Sequence, residues 1–232
     1  MFLGLAAEDW NAVAASAAAS IASVLLSLPF GLALGWMLAR RPFRGKWAVE
    51  TFLNLPLVLP PIVTGYLLLT LLGRTSWIGG ILDRTWGIRI AFTWSAVVLA
   101  GAVMGFPLMV RSIRLAFQGT DPRLYQAARS LGARPFDAFW SVSLPLARNG
   151  VLAGAVLAFA RSLGEFGATL MFAANQPDHR TLSLQIYTLW TEPKPGYELR
   201  MWLLVIASIV LAAGALAVSE YLERRGARRE SA

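Results

Sequence analysis

Long apolar runs separated by short charged segments organise this chain. Four runs carry no Asp, Glu, Lys or Arg: 10–39, 51–73, 90–110 and 201–219. A fifth, 149–175, is apolar apart from Arg161 and Glu165. A hydrocarbon core of roughly 30 Å needs about 20 apolar residues per helix, so each run is long enough to cross it. The pattern predicts an all-α integral membrane protein of about five transmembrane helices, organised as one transmembrane domain over 1–232. The expected spans are about 12–39, 50–72, 90–112, 149–174 and 200–221, with a polar loop at about 120–146.

Composition agrees with that reading. The chain is 56% hydrophobic and 15% charged, with a mean hydropathy of +0.56, too apolar for a soluble domain of this length. The first run follows Glu8 and Asp9 rather than Lys or Arg and exceeds an ordinary signal core, so it is predicted to be retained. The absence of Cys excludes disulfides and thiolate sites, and the single His179 excludes multi-histidine zinc motifs. Neither a catalytic group nor a metal site is expected.

The net charge of +8 is informative through its placement. Arg40, Arg41, Arg44 and Lys46 follow the first run; Arg111, Arg114, Arg123, Arg129, Arg134 and Arg148 lie in or beside the 120–146 loop; Arg224, Arg225, Arg228 and Arg229 end the chain. A five-span topology puts all of these on one side and Arg74, Arg84, Arg89, Arg180, Lys194 and Arg200 on the other. By the positive-inside rule the N-terminus lies outside and the C-terminus in the cytoplasm. The surplus is thus a topological signal, and no nucleic-acid partner is expected.

Within the first run, Ser16, Ser20, Ser23, Ser27, Gly31 and Gly35 form a stripe of small residues, suited to a moving subunit contact or to packing within one subunit. The second run holds Pro56, Pro60 and Pro61, whose missing donors leave carbonyls unpaired. That predicts either a broken helix lining a path or a static kink. The segment between Arg74 and Arg89 carries Trp77 and Trp86, which suit a membrane interface. Residues 181–190 are too short and polar to span, and read as an interfacial or re-entrant piece.

Two polar features interrupt the apolar pattern. In the 120–146 loop, Thr120-Asp121-Pro122 supplies a helix start, and Gly132 with Pro135 breaks the helix, predicting two short helices with a bend. Leu124, Ala127, Ala128 and Leu131 share one face, which can fill a groove on another protein or lie on lipid headgroups. In the fourth span, Arg161 and Glu165 stand one helical turn apart and can pair. Either charge alone at mid-bilayer costs about 2.5–3.5 kcal/mol on insertion scales, so the pair should face protein or water. Gly164 and Gly167 flank it and would permit close approach of a second helix.

The island Tyr125 to Pro145, YQAARSLGARPFDAFWSVSLP, resembles the cytoplasmic "EAA" signature of ATP-binding-cassette (ABC) importer permeases, with Gln126 where that pattern has Glu. RSLGEFGATLM, and the prolines followed by Gly65 and Tyr66, resemble the molybdate permeases; the sulfate permeases share the LGEFGA core. The resemblance implies a type I ABC importer permease fold, with Gln126, Ala127, Ala128, Gly132, Leu144 and Pro145 coupling the chain to an ATPase. The proline break and the intramembrane charges further suggest a translocation path or gate at Pro60, Pro61, Arg161, Gly164, Glu165 and Gly167, where the ion pair either only permits insertion or serves the gate. The chain has no GxxxxGK[ST], so it is not itself the nucleotide hydrolase. Expected partners are two ABC ATPase subunits carrying the ATP and magnesium, an external oxyanion-binding protein, and a second copy of the chain across a two-fold axis. The expected location is the cytoplasmic (inner) membrane of a prokaryote, multi-pass in lipid. Molybdate is the first cargo, with tungstate and sulfate as alternatives. An ion-coupled carrier would also use broken helices and an intramembrane pair but has no need of the island. A membrane-embedded enzyme lacks the residues to build from.

Overall fold

The computed structural model describes residues 5–230, and these are helical throughout, with short turns between. The outermost residues of the 1–232 span lie outside that range. Helix α1 (Ala7–Arg40) is long enough to extend beyond the bilayer at an end. Its small-residue stripe is buried inside the chain, against α5 (Trp94–Gly119) for much of its length. A Cβ on Gly35 would lie 2.6 Å from Ile113 Cγ2, and the Ser23 hydroxyl donates to the Val98 carbonyl at 2.7 Å. The stripe therefore serves packing within one subunit.

The second apolar run is not one straight helix. Helices α2 (Lys46–Val58) and α3 (Pro61–Leu72) meet at an angle of 113°. Pro60 and Pro61 bring no N–H, and Leu59, as the residue before a proline, is extended at φ −69°, ψ 141°. Helix α2 buries none of its residues. It is tied down by the Arg114–Glu50 pair at 2.8 Å and by Lys46 Nζ donating to the Leu38 carbonyl at 2.7 Å. The following helix, α4 (Trp77–Trp86), is capped by Ser76 Oγ, which accepts from Gly79 N, and stops at Gly87 with φ +65°. Asp83 binds Arg74 and Arg89 at 3.0 Å each, closing the connection on itself.

The polar island is only partly a loop. Helix α6 (Pro122–Ser130) starts on Asp121, whose carboxylate accepts from Arg123 N at 2.8 Å. Gly132, at φ +93°, reverses the chain. From Pro135 the backbone then stays helical to Leu163, through α7 (Pro135–Ala138), a π-turn (Phe139–Ser143) and α8 (Leu144–Leu163). The fourth span thus begins inside the expected loop rather than near 149, and the second short helix of the island is its first turn. Pro145 explains the π-turn: it has no N–H to offer, and Leu144 N reaches back five residues to the Phe139 carbonyl.

After a break at Gly164–Phe166 come α9 (Gly167–Phe172), α10 (Leu182–Thr191) and α11 (Tyr197–Glu230). Helix α10 packs on α1 and α11, with Gln185 buried. Among the described residues four helices are long and apolar enough to cross a bilayer, and α2 with α3 counts as a fifth if the bent pair is one span. The Ser16 hydroxyl accepts from Leu182 N, and Asp9 binds Arg200, so the start of α1, α10 and the start of α11 share one end of the bundle. Arg40 donates to the Thr120 carbonyl at 2.8 Å, gathering the other end of α1 with the start of α6.

Candidate functional site

Two of the regions singled out in the sequence are built as sites. At the island, α6 presents Leu124, Gln126 and Ala127 outward, and Leu131 beyond its end is 89% exposed. The Gly132 turn is held by Gly132 N donating to the Arg129 carbonyl and Ala133 N to the Ala128 carbonyl, at 3.1 Å each. A left-handed residue suits this turn, and glycine adopts that conformation without penalty. The inner side of α6 lies against the π-turn through an aromatic cluster: Trp36 meets Tyr125 at 6.1 Å and Phe139 at 5.9 Å between ring centroids. Leu144 packs inward, whereas Pro145 is exposed just beyond the turn it causes. An exposed apolar helix face on a rigid base is a docking surface in form.

At the break, Glu165 is 3% exposed and fully used. Its Oε2 accepts from Arg161 Nη1 at 2.7 Å, and its Oε1 accepts from Ala168 N at 2.9 Å, capping α9. The expected pair therefore forms, and it bridges the end of one helix to the start of the next rather than lying along one continuous helix.

Helix α9 rests on α3 with almost no side chain between them. A Cβ on Gly65 would lie 2.6 Å from the Ala168 carbonyl oxygen, and one on Gly167 would lie 2.9 Å from Pro61 Cβ and 3.1 Å from Ile62 N. The proline break and the charged break thus abut through Pro61 and Gly167. Gly164 does not take part: it is exposed, and an added Cβ would find only the Ala160 carbonyl at 3.8 Å. Within this chain no second helix approaches Gly164, because the chain turns there and leaves that side open. Pro60 is exposed at the bend and precedes α3 as its N-cap residue.

An open apolar cavity of about 550 Å³ lies between α1, α2, α3 and α5, lined by Leu26, Phe30, Phe52, Leu59 and Phe106. Thr64 also lines it, and its hydroxyl is buried without a partner. Such a lining cannot compensate a desolvated oxyanion, so the cavity is not assigned to an anionic cargo.

One cluster went unrecognised in the sequence. Asp9 is completely buried: Arg200 binds it through Nε at 2.7 Å and Nη2 at 2.8 Å, Gln185 donates at 2.9 Å, and Ala6 N at 2.8 Å. This fork ties α1, α10 and α11 together with every carboxylate oxygen satisfied. The signal available was Asp9 and Arg200, opposite charges at the same end of two spans.

The bundle, its bent second span and its exposed amphipathic island define the membrane-embedded subunit of a transport system. Among solved structures, a bacterial alginate ABC transporter in complex with an alginate pentasaccharide-bound periplasmic protein contains a similar chain, with a TM-score of 0.65 at 18% identity, covering 98% of this chain and 81% of that one. An amino acid ABC transporter solved with histidines gives a TM-score of 0.62 at 19% identity, covering 94% of each. The fold is that of type I ABC importer permeases. Residues 31–228 match the binding-protein-dependent transport system inner membrane component family, and the chain belongs to that family. It is 51% identical over 217 residues to the molybdenum transport system permease protein ModB of Escherichia coli (strain K12), covering 93% of this chain and 94% of that protein. It is 43% identical over 216 residues to the ModB of Haemophilus influenzae, covering 93% of each.

Proposed function

We propose that this chain is the permease of an ATP-driven molybdate importer in the cytoplasmic membrane of a prokaryote. Two copies form the path, two separate ATPase subunits carry the ATP and magnesium, and an external binding protein delivers the oxyanion. The observation that carries this reading is end-to-end similarity, at 51% and 43% identity, to two ModB proteins. The termini follow the charge bias, with the N-terminus outside.

The geometry supports a specific route for coupling. Nucleotide binding draws the ATPases together, and each carries an α6 docked through Leu124, Gln126, Ala127 and Leu131. Helix α6 packs on the π-turn, and the π-turn is continuous with α8, so a displacement of the island is passed along one rod. The far end of that rod is the Arg161–Glu165 break, where α9 rests on α3. Moving α8 therefore shifts the crossing of the two broken helices, which is the gate in this reading, with Arg161 available to attract a passing dianion. The bound energy of ATP is spent on alternating this contact, and no covalent chemistry falls to the chain itself.

Uptake of radiolabelled molybdate into a permease-deletion strain expressing this chain, together with its ATPase and binding protein, tests the proposal. Uptake that is abolished by an ATPase-inactive partner and out-competed by molybdate ahead of sulfate is expected. Uptake independent of the ATPase overturns the importer assignment, and preference for sulfate overturns the cargo.

A further inference from the structure

We propose that a cleft at the end of α1 binds a tetrahedral phosphate-type anion, supplied by the headgroup of an anionic phospholipid. The cleft measures about 260 Å³ and lies between α1 and α6, lined by Trp36, Arg40, Arg41, Pro122, Tyr125 and Gln126. Its donors outnumber its acceptors. Trp36 Nε1 is buried and has no hydrogen-bond partner. The Arg41 guanidinium stacks over the Trp36 ring, 5.5 Å from its centroid, and pairs with no carboxylate among the described residues. Arg40 spends Nη2 on the Thr120 carbonyl and hydroxyl, leaving its other nitrogens. The neighbouring acid, Asp121, accepts from Arg123 N at 2.8 Å and its charge acts on Arg40, which leaves Arg41 as the cleft's unopposed cation. Gln126, which the cleft shares with the docking face of α6, brings no charge to its rim.

The unpaired buried N–H of Trp36 costs free energy that an acceptor would recover, while the exposed Arg41 guanidinium beside it adds attraction for an anion. Position selects the source. Arg40 and Arg41 are the first charges after the uncharged run of α1, and Trp36 stands one turn before them, the residue types that favour a membrane interface. Basic clefts between helices on the cytoplasmic side are suited to anionic headgroups. Free inorganic phosphate presents the same oxygens but lacks the tails that hold a lipid at this level.

Native mass spectrometry of the detergent-purified permease–ATPase complex tests the site, with phosphatidylglycerol, phosphatidylcholine and inorganic phosphate as separate probes. Retention of phosphatidylglycerol over phosphatidylcholine is expected in the natural protein, weakened roughly tenfold by Arg41→Gln, which removes a charge-assisted hydrogen bond. Trp36→Phe keeps the ring packing against Tyr125 and Phe139 but removes the N–H, and should also weaken retention; Arg41→Lys should preserve most of it. Displacement of the lipid by inorganic phosphate supports the anion site and assigns it to a soluble anion. Equal retention by the natural protein, Arg41→Gln and Trp36→Phe overturns the proposal. So does loss of ATPase from Arg41→Gln with lipid retention unchanged, which would make the cleft a seat for a partner carboxylate.

Discussion

Arg161 and Glu165 are joined across a helix break, 2.7 Å apart, and the same carboxylate caps the helix that follows by accepting from Ala168 N at 2.9 Å. The two residues are therefore not interchangeable. The double variant Arg161→Glu with Glu165→Arg keeps opposite charges but leaves Ala168 N without an acceptor, since a guanidinium has none. It should fail to restore assembly. Glu165→Gln keeps an acceptor for the cap and should assemble, while Glu165→Ala leaves the buried Ala168 N unpaired and should cost at least about 1–3 kcal/mol. Size-exclusion yield of the assembled complex, with molybdate uptake normalised to it, reads this; full recovery in the swapped variant would show that capping does not matter.

The crossing of α3 and α9 makes a second, opposed pair of expectations. Gly65→Ala drives a methyl to 2.6 Å from a backbone oxygen that cannot rotate away, so the helices must separate, at about 1–3 kcal/mol as for other overpacked contacts. Gly164→Ala meets nothing nearer than 3.8 Å and should lie within about 0.5 kcal/mol of the natural chain. Thermal unfolding of both in detergent checks the order, and equal melting temperatures would contradict the geometry.

Much of this was legible because lipid is a severe solvent. An uncharged run such as 90–110 has few stable fates there, and the run does form a buried helix. The Gly132 turn was equally readable, since Gly and the nearby Pro135 mark a helix stop whatever surrounds them. What could not be read depends on direction in space. The 113° bend at Leu59 and Pro60 follows from prolines that also fit a mild kink, and only packing sets the angle. The continuity of the fourth span back to Pro135 was hidden because polar residues on a helix end and on a loop look alike. Gly164 and Gly167 are equivalent as letters; their difference arises from which one the chain turns toward α3.

Asp83 should make the connection between α3 and α5 pH-dependent. Its hydrogen bond from Arg89, with further attraction from Arg89 and Arg74, holds its carboxyl below the usual carboxylate range. A depressed folded value means that the stabilisation is present above the ordinary aspartate pKa of about 3.9 and is lost as pH falls through the lower folded value. Hydrogen exchange across residues 74–89 should accelerate only in that acid window, after correction for intrinsic rates. In Asp83→Asn it should be fast already at neutral pH and flat below it. An unchanged acid response in Asp83→Asn would assign the effect to another group.

Sidedness can be read with single cysteines, because the natural chain has none. Ala6 and Asp178 lie at the end of the bundle where Asp9 binds Arg200, whereas Arg44 and Arg123 lie beside the Arg40–Thr120 contact at the other end. Cysteines at the first two positions should label from outside intact cells, and those at the second two only after permeabilisation. Labelling in the reverse sense would invert the topology while leaving the fold intact.

Gly132 and Gly45 together isolate the role of the island. Both adopt left-handed backbone, at φ +93° and +87°, and an added Cβ at either would find nothing within 4 Å. Alanine at either position therefore carries the same kind of penalty, about 1–2 kcal/mol of backbone strain, with no clash inside the chain. The positions differ only in what they serve: Gly45 opens the α2 end of a connection, whereas Gly132 sets the angle between the exposed face of α6 and the rod that begins at Pro135. If α6 is the ATPase-docking element, Gly132→Ala should lower both ATPase copurification and binding-protein-stimulated hydrolysis several-fold, while Gly45→Ala leaves both near the natural level. Gly132→Val should be worse than Gly132→Ala, because its branched side chain also enters the docked contact. Equal behaviour of Gly132→Ala and Gly45→Ala in reconstituted liposomes would reduce the effect to generic strain and remove the coupling role from this turn.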